Sequence, residues 1–242
     1  MGDAVIPPHI VTTWICDPAH DPYTDAHRDL FARCLRSWLR LMPDYQYTII
    51  TRETLRQHDG LDPWVRAQMD AGRYIGASNW ARLRWLQRHG GIYLDMDVEA
   101  IQRFDALRGT DDLLVGHMRE PKVWVNNAVL MGPAGHPMWQ ALLDRCVAAD
   151  PADPMLGNTS RPLAVTDVLT SRGWSGLDRA ERVSGIHVLP SPVFYPYTWT
   201  EMYTPACLTP ETVCVHHWGE SWKAVSGLVP ERQARGIEQG LK

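Results

Sequence analysis

The chain has 242 residues, 45% of them hydrophobic and 21% charged, which suits the core of one α/β domain with elaborations. Its formal net charge of −4 gives no electrostatic case for a nucleic-acid partner, and no apolar run reaches the roughly 18 residues that a membrane-spanning helix needs. Five cysteines (Cys16, Cys34, Cys146, Cys207 and Cys214) form no CxxC pair and are odd in number, which fits reduced thiols better than a disulfide framework. The opening MGDAVIPPHIVTTW has neither the basic region nor the apolar core of a signal peptide. Together these features predict a cytoplasmic protein, with any membrane association peripheral.

Ile6 to Trp14 follows with β-branched residues (Ile10, Val11, Thr12, Thr13) after two prolines and reads as the first strand, Trp14 closing it at the end where a ligand would lie. Cys16 to Tyr23 reads as a loop. Ala26 to Leu41 reads as a helix, with Leu30, Cys34, Trp38 and Leu41 at three- and four-residue steps. Tyr45 to Thr51 alternates as a second strand, and two short helices fill Glu53 to Ala71, with Asp62-Pro63 marking a turn or helix start. The stretch ASNWARLRWLQRHGGIYLDMDVEA, Ala77 to Ala100, predicts a helix capped by Ser78 and running to His89. Gly90-Gly91 ends it, and Ile92 to Leu94 forms a third, buried parallel strand. Asp95 and Asp97 then sit at the carboxyl end of that strand, where open α/β sheets bind ligands.

Asp112 to Gly116 and Asn127 to Gly132 read as two more apolar strands. Pro137 to Ala149 reads as a helix, 150–162 as a surface loop, Leu163 to Arg172 as a helix and Ile186 to Leu189 as a strand. Pro190 to Tyr203 is rich in proline and aromatics, Val213 to His216 is a last strand, and 230–242 is a charged tail with helical character. With no internal repeat and no low-complexity linker, the chain reads as one domain of an α/β layered fold.

Asp95-Met96-Asp97 is the main chemical signal. Carboxylates at i and i+2 on an extended backbone point to one side, and they repel unless a cation sits between or beside them. Oxygen ligands of this kind suit Mg²⁺ or Mn²⁺, which in turn bind phosphate oxygens. A solvated turn would also carry a DxD by chance, so the surroundings decide. Asn79 and Arg82 lie one turn apart on the preceding helix beside Ser78, a polar set able to grip hydroxyls and phosphates.

These residues resemble the signature of the DXD-containing sugar transferases of glycosyltransferase family 32, roughly A-S-D-x-x-R, several residues, then G-G-x-Y-x-D-x-D. Further blocks follow in the same order: Ile6-Pro7 through Trp14; Ser37-Trp38 with Pro43 and Tyr45; Asn127-Ala128 with Gly135-His136-Pro137; and His216-His217-Trp218 with Ser221-Trp222. The resemblance implies a GT-A fold, a Rossmann-like nucleotide-binding sheet with helices on both faces. Residues 1–110 would form the nucleotide-sugar-binding half, and 111–242 the acceptor side and C-terminal closing loop. It implies metal-dependent, retaining transfer of a sugar from a UDP- or GDP-sugar to an acceptor hydroxyl, with Mn²⁺ or Mg²⁺ as cofactor.

Carried over by resemblance, Asp97 binds the metal directly and Asp95 contacts ribose, sugar or metal. Trp14 stacks near the base, Ser78, Asn79 and Arg82 hold donor hydroxyls or phosphates, and Asn127 lies near the transferred sugar or the acceptor. His216, rather than His217, completes the metal shell, and Ser221 and Trp222 belong to a loop that closes over the donor. Each role has a plainer counterpart: Trp14 as a core cap, Asn127 as a strand-end partner, His216 and His217 as ordinary strand histidines. The chain departs from the pattern at Asn79, where the family has Asp, and at Val11, where it has His. The acceptor stays open among polysaccharides or lipid-linked glycans, proteins, small molecules and modified nucleic acid, the last not favoured by charge. No enzyme nucleophile stands out, and Asp167 carries little weight as one. Two rival classes remain. One is a phosphohydrolase of the haloacid dehalogenase type, which would use Asp95 as nucleophile but for which no GDxxxD motif is present. The other is a non-catalytic nucleotide-sugar or glycan-binding module.

Overall fold

The computed structural model describes residues 6–16, 25–57, 61–119, 124–148 and 162–219. The loop expected over 150–162 and the charged tail fall outside these residues, except for Pro162. So do Ser221 and Trp222.

Nine strands and seven helices are formed among the described residues: β1 (His9–Trp14), α1 (Asp25–Leu41), β2 (Gln46–Thr51), α2 (Arg52–Arg56), α3 (Pro63–Asp70), α4 (Tyr74–His89), β3 (Gly91–Leu94), β4 (Val98–Ala100), β5 (Leu113–Met118), β6 (Trp124–Gly132), α5 (Pro137–Val147), α6 (Pro162–Thr170), β7 (Glu181–Val183), β8 (Ile186–Leu189), α7 (Ser191–Phe194) and β9 (Cys214–His216). Seven strands make one sheet in the order β2-β1-β3-β6-β5-β8-β7, and β4 pairs with β9 in a separate two-stranded sheet.

The central strands read as unbroken apolar runs because both faces of the sheet are covered. Along β3, Ile92 and Leu94 enter one core cluster with Trp38, Val98 and Phe194, while Tyr93 enters the other with Leu86, Trp139 and Val165. The same alternation divides Ile10 from Val11 and Val129 from Leu130. Helices α3 to α6 contribute to the second cluster, and α1, α7 and the small sheet contribute to the first.

The expected parallel relation of β1, β2 and β3 is present. Beyond β3 the sheet is mixed: β6 runs antiparallel to both β3 and β5, whereas β8 is parallel to β5. Two short strands, β4 and β7, add to those read from the sequence.

Helix α4 starts at Tyr74, so Ser78 is not its N-cap; that position belongs to Arg73, which makes no side-chain capping bond. Packing replaces the cap. Tyr74 and Ala77 are buried, and a Cβ on Gly76 would lie 3.1 Å from Trp64 Cη2 of α3, so glycine lets the two helices approach closely. At the other end Gly90 takes φ +65° and Gly91 φ +109°. A Cβ on Gly91 would lie 2.6 Å from the His9 carbonyl oxygen, so this turn into β3 requires glycine.

Candidate active site

The carboxylate pair is assembled by a turn. The Asp95 N–H donates to the Ala128 carbonyl at 2.9 Å, continuing the contact between β3 and β6, and the Val98 N–H then donates back to the Asp95 carbonyl at 3.0 Å. Asp95 and Asp97 therefore flank a tight turn from β3 into β4. The extended backbone expected at this point is replaced by this turn, because the chain must leave the main sheet to pair with β9.

That pairing brings in the third group. Val98 lies opposite His216 in the β4–β9 ladder. His216 Nε2 sits 3.2 Å from Asp97 Oδ1, and ligand-type atoms of Asp95, Asp97 and His216 all lie within 4.8 Å of one another. Asp97 Oδ2 accepts the Gly219 N–H at 2.8 Å, and the Asp97 carbonyl accepts the His217 N–H at 2.9 Å. Burial alone would raise the Asp97 pKa, but His216 and the Gly219 amide outweigh it and bring it down to about 2. Burial likewise disfavours a charged His216, yet Asp97 and then Asp95 carry its pKa above the usual histidine value.

Asp95 is held differently. Its Oδ1 accepts Tyr93 OH at 2.5 Å and pairs with Arg82 Nη1 at 3.2 Å. Burial raises its pKa and repulsion from Asp97 adds to this, with Arg82 pulling the other way. The two carboxylates are thus pushed apart in proton affinity by their surroundings, one firmly ionised and one reluctant to ionise.

Arg82 is 7% exposed and forms a hub. Its Nη1 also donates to the Asn127 carbonyl at 2.9 Å, and its guanidinium lies 4.2 Å from the Tyr93 ring centroid. Asn127 Nδ2 donates to Asn79 Oδ1 at 3.3 Å. Asn79, Arg82 and Asn127 line a cleft whose other wall includes Leu142, Cys146 and Val165.

Ser78 is brought to the same place from inside the helix. Its Oγ lies 2.5 Å from Thr13 Oγ1, which lies 3.1 Å from Tyr93 OH. Tyr93 has one proton and gives it to Asp95, so Thr13 donates to Tyr93 and Ser78 donates to Thr13. The sequence reading missed Thr13 and Tyr93 as members of the site. Tyr93 had a signal, since it fills the tyrosine position of G-G-x-Y-x-D-x-D.

Trp14 is half-buried, edge-on to Phe31 at 5.5 Å, and like Met96 it packs against the cluster of Leu30, Phe31 and Cys34. His217 is already occupied: its Nε2 lies 2.8 Å from Glu99 Oε2 and 2.7 Å from Arg33 Nη2. His216, by contrast, keeps a buried Nδ1 that has no hydrogen-bond partner among the described residues. Asp167 is not brought to the site; it is exposed on α6 and pairs with Arg145 at 3.2 Å.

Two carboxylates and an imidazole fit a divalent cation. The imidazole makes the set softer than the all-oxygen shell that Mg²⁺ prefers. Protons compete with any metal for His216 Nε2. Mn²⁺ affinity is therefore expected to rise with pH through the raised His216 pKa and to fall below it. Asp97, with a pKa of about 2, stays ionised and adds no dependence near neutrality. In the metal-free protein the sign reverses: the His216–Asp97 ion pair contributes stability at low pH that is lost as pH rises through that same raised value. Mn²⁺ titrations from pH 5.5 to 8 check this, and an affinity flat across that range would contradict it.

Residues 28–114 match the family described as the glycosyltransferase sugar-binding region containing the DXD motif. The matched span contains the whole of the stretch from Ala77 to Ala100 that carries Asp95 and Asp97. Over 106 residues it is 33% identical to inositol phosphoceramide mannosyltransferase 3 of Schizosaccharomyces pombe, covering 43% of this chain and 28% of that protein. The chain thus spans little more than a quarter of that relative's length. Among solved structures, the PaToxG glycosyltransferase superposes with a TM-score of 0.52 at 18% identity over 69% of each chain, which shows a shared fold. The galactosyltransferase LgtC, solved with donor and acceptor sugar analogues, aligns over 94% of this chain and 99% of its own at 15% identity and a TM-score of 0.40. The expected α/β fold of the GT-A type is the fold observed.

Proposed function

We propose that this chain transfers a sugar, with retention, from a UDP- or GDP-sugar to an acceptor hydroxyl, using Mn²⁺ or Mg²⁺ held by Asp95, Asp97 and His216. The observation that carries the reading is the convergence of those three side chains within 4.8 Å at the carboxyl end of β3. A divalent ion bound there would offset the negative charge that builds on the leaving diphosphate.

The chain's own residues set up the rest. Tyr93 and Arg82 both engage Asp95 Oδ1, and in this reading Oδ2 serves the ligand. Arg82 fixes the Asn127 backbone, and the Asn79–Asn127 amide pair presents hydrogen-bonding groups to sugar hydroxyls. Asn79 brings no charge where the family pattern has a carboxylate, so donor choice is read at that position. Trp14 offers an aromatic edge to the base, and Ser221 and Trp222 are assigned to closing over the donor. A same-face transfer, in which the leaving phosphate helps take the acceptor proton, needs no enzyme nucleophile.

For the acceptor, the S. pombe relative is named as a mannosyltransferase of inositol phosphoceramide. This supports a glycan or lipid-linked hydroxyl over nucleic acid. Among the described residues no helix is long and apolar enough to cross a membrane. The odd number of cysteines and the lack of a CxxC pair support the cytoplasmic placement in this proposal.

The test is donor hydrolysis across a panel of UDP- and GDP-sugars with and without Mn²⁺. The expected result is Mn²⁺-dependent release of free sugar and nucleoside diphosphate from one of them. Cleavage of a generic phosphomonoester instead would favour the phosphohydrolase. A Mn²⁺-dependent thermal shift with a nucleotide sugar but no turnover would favour the binding module.

A further inference from the structure

Asp97 is also reached from helix α1, through Gly219. His27, in the first turns of α1, is fully buried, and its Nε2 lies 3.2 Å from the Gly219 carbonyl oxygen. A carbonyl only accepts, so His27 Nε2 carries the proton and donates. The same glycine sends its N–H to Asp97 Oδ2 at 2.8 Å. Gly219 is therefore gripped on both sides of its α-carbon, by α1 at the carbonyl and by Asp97 at the amide. There is little slack: a Cβ on Gly219 would lie 3.2 Å from Asp97 Oδ2 and 3.3 Å from Leu30 Cδ2. The residue before it, Trp218, sits at φ +53°, a conformation that a bulky side chain adopts only when its surroundings hold it there. Its indole donates to the Tyr197 carbonyl at 3.2 Å, and its ring lies 4.3 Å from that of His216.

We infer that His27 is a positioning residue for Asp97: by holding the Gly219 carbonyl it aims the Gly219 N–H at Asp97 Oδ2, which leaves Oδ1 turned towards His216 as the metal-facing oxygen. The inference rests on the proposed role of Asp97 as a metal ligand. A carboxylate fixed through one oxygen presents the other at a defined angle, and outer partners of this kind commonly change metal affinity by 10- to 100-fold when removed.

The test is the affinity of the full chain for Mn²⁺ alone, followed by the electron paramagnetic resonance signal of the free ion. His27→Ala is expected to weaken Mn²⁺ binding about tenfold, and His27→Gln, whose side-chain amide can donate from a similar position, to recover most of it. Wild-type affinity in His27→Ala, alongside lost binding in Asp97→Asn, would overturn the positioning role while leaving the metal site intact. Wild-type affinity in Asp97→Asn would overturn the metal-ligand reading itself and the inference with it. Where His27→Ala fails to fold, Gly219→Ala takes its place: the added methyl displaces the amide from Asp97 and should weaken Mn²⁺ binding similarly, and an unchanged affinity would overturn the inference.

Discussion

Asp97→Asn is expected to lower sugar transfer by roughly 10³-fold, equivalent to about 4 kcal/mol of transition-state stabilisation, and to remove measurable Mn²⁺ binding. The argument turns on which way the new amide faces. The Gly219 N–H lies 2.8 Å from Oδ2 and needs an acceptor, so the asparagine carbonyl takes that place. Its NH₂ group then occupies the position of Oδ1, 3.2 Å from His216 Nε2, and presents two donors where a cation should bind. The substitution conserves shape, so the fold should survive. It does delete the carboxylate that raises the His216 pKa, so His216 should titrate closer to an ordinary histidine. The checks are kcat/KM with Mn²⁺ and the His216 titration followed by nuclear magnetic resonance. Transfer within tenfold of wild type would show that Asp97 is not where the leaving diphosphate is stabilised.

The elements around this residue were legible because their signals are local. A helix without interruption, two glycines and three apolar residues lead into the carboxylates, and each device acts within a few residues of itself. The mixed direction of the sheet was hidden, since β6 earns its antiparallel place only through contacts with β3 and β5. Strand β4 is three residues long and exists because β9 lies beside it. Ser78 was misread as a cap because its hydroxyl could have served its own backbone. It bonds instead to Thr13, 65 positions away in the chain. His27 lies 192 positions from Gly219, beyond the reach of any periodicity or spacing rule. The choice of His216 over His217 came from the resemblance. The structure adds a physical reason in that Glu99 and Arg33 already hold His217.

Arg82→Ala is expected to destabilise the fold by about 3 kcal/mol at pH 7 to 8 and to abolish transfer as well. Arg82 faces Asp95, donates to the Asn127 carbonyl and lies over Tyr93, and alanine removes all three interactions together. Removing one partner of a buried ion pair commonly costs 3 to 5 kcal/mol, and the low end applies here because the Asp95 side chain is 29% exposed. Arg82→Lys keeps a charge near Asp95 but cannot reproduce the planar fork, so a loss of about 1 to 2 kcal/mol is expected. The pH dependence identifies the cause. Burial already raises the Asp95 pKa, and Arg82 is the main group pulling it down. Without Arg82 the folded-state pKa climbs further above the unfolded value, so the penalty is greatest at neutral pH. It shrinks as pH falls through that pKa, because a protonated Asp95 no longer needs a counter-charge. Urea unfolding of wild type and Arg82→Ala at pH 5 and pH 8 measures the difference directly. A penalty equal at both values would mean that Arg82 supports the fold by packing and by its bond to Asn127, and that its charge does not serve Asp95.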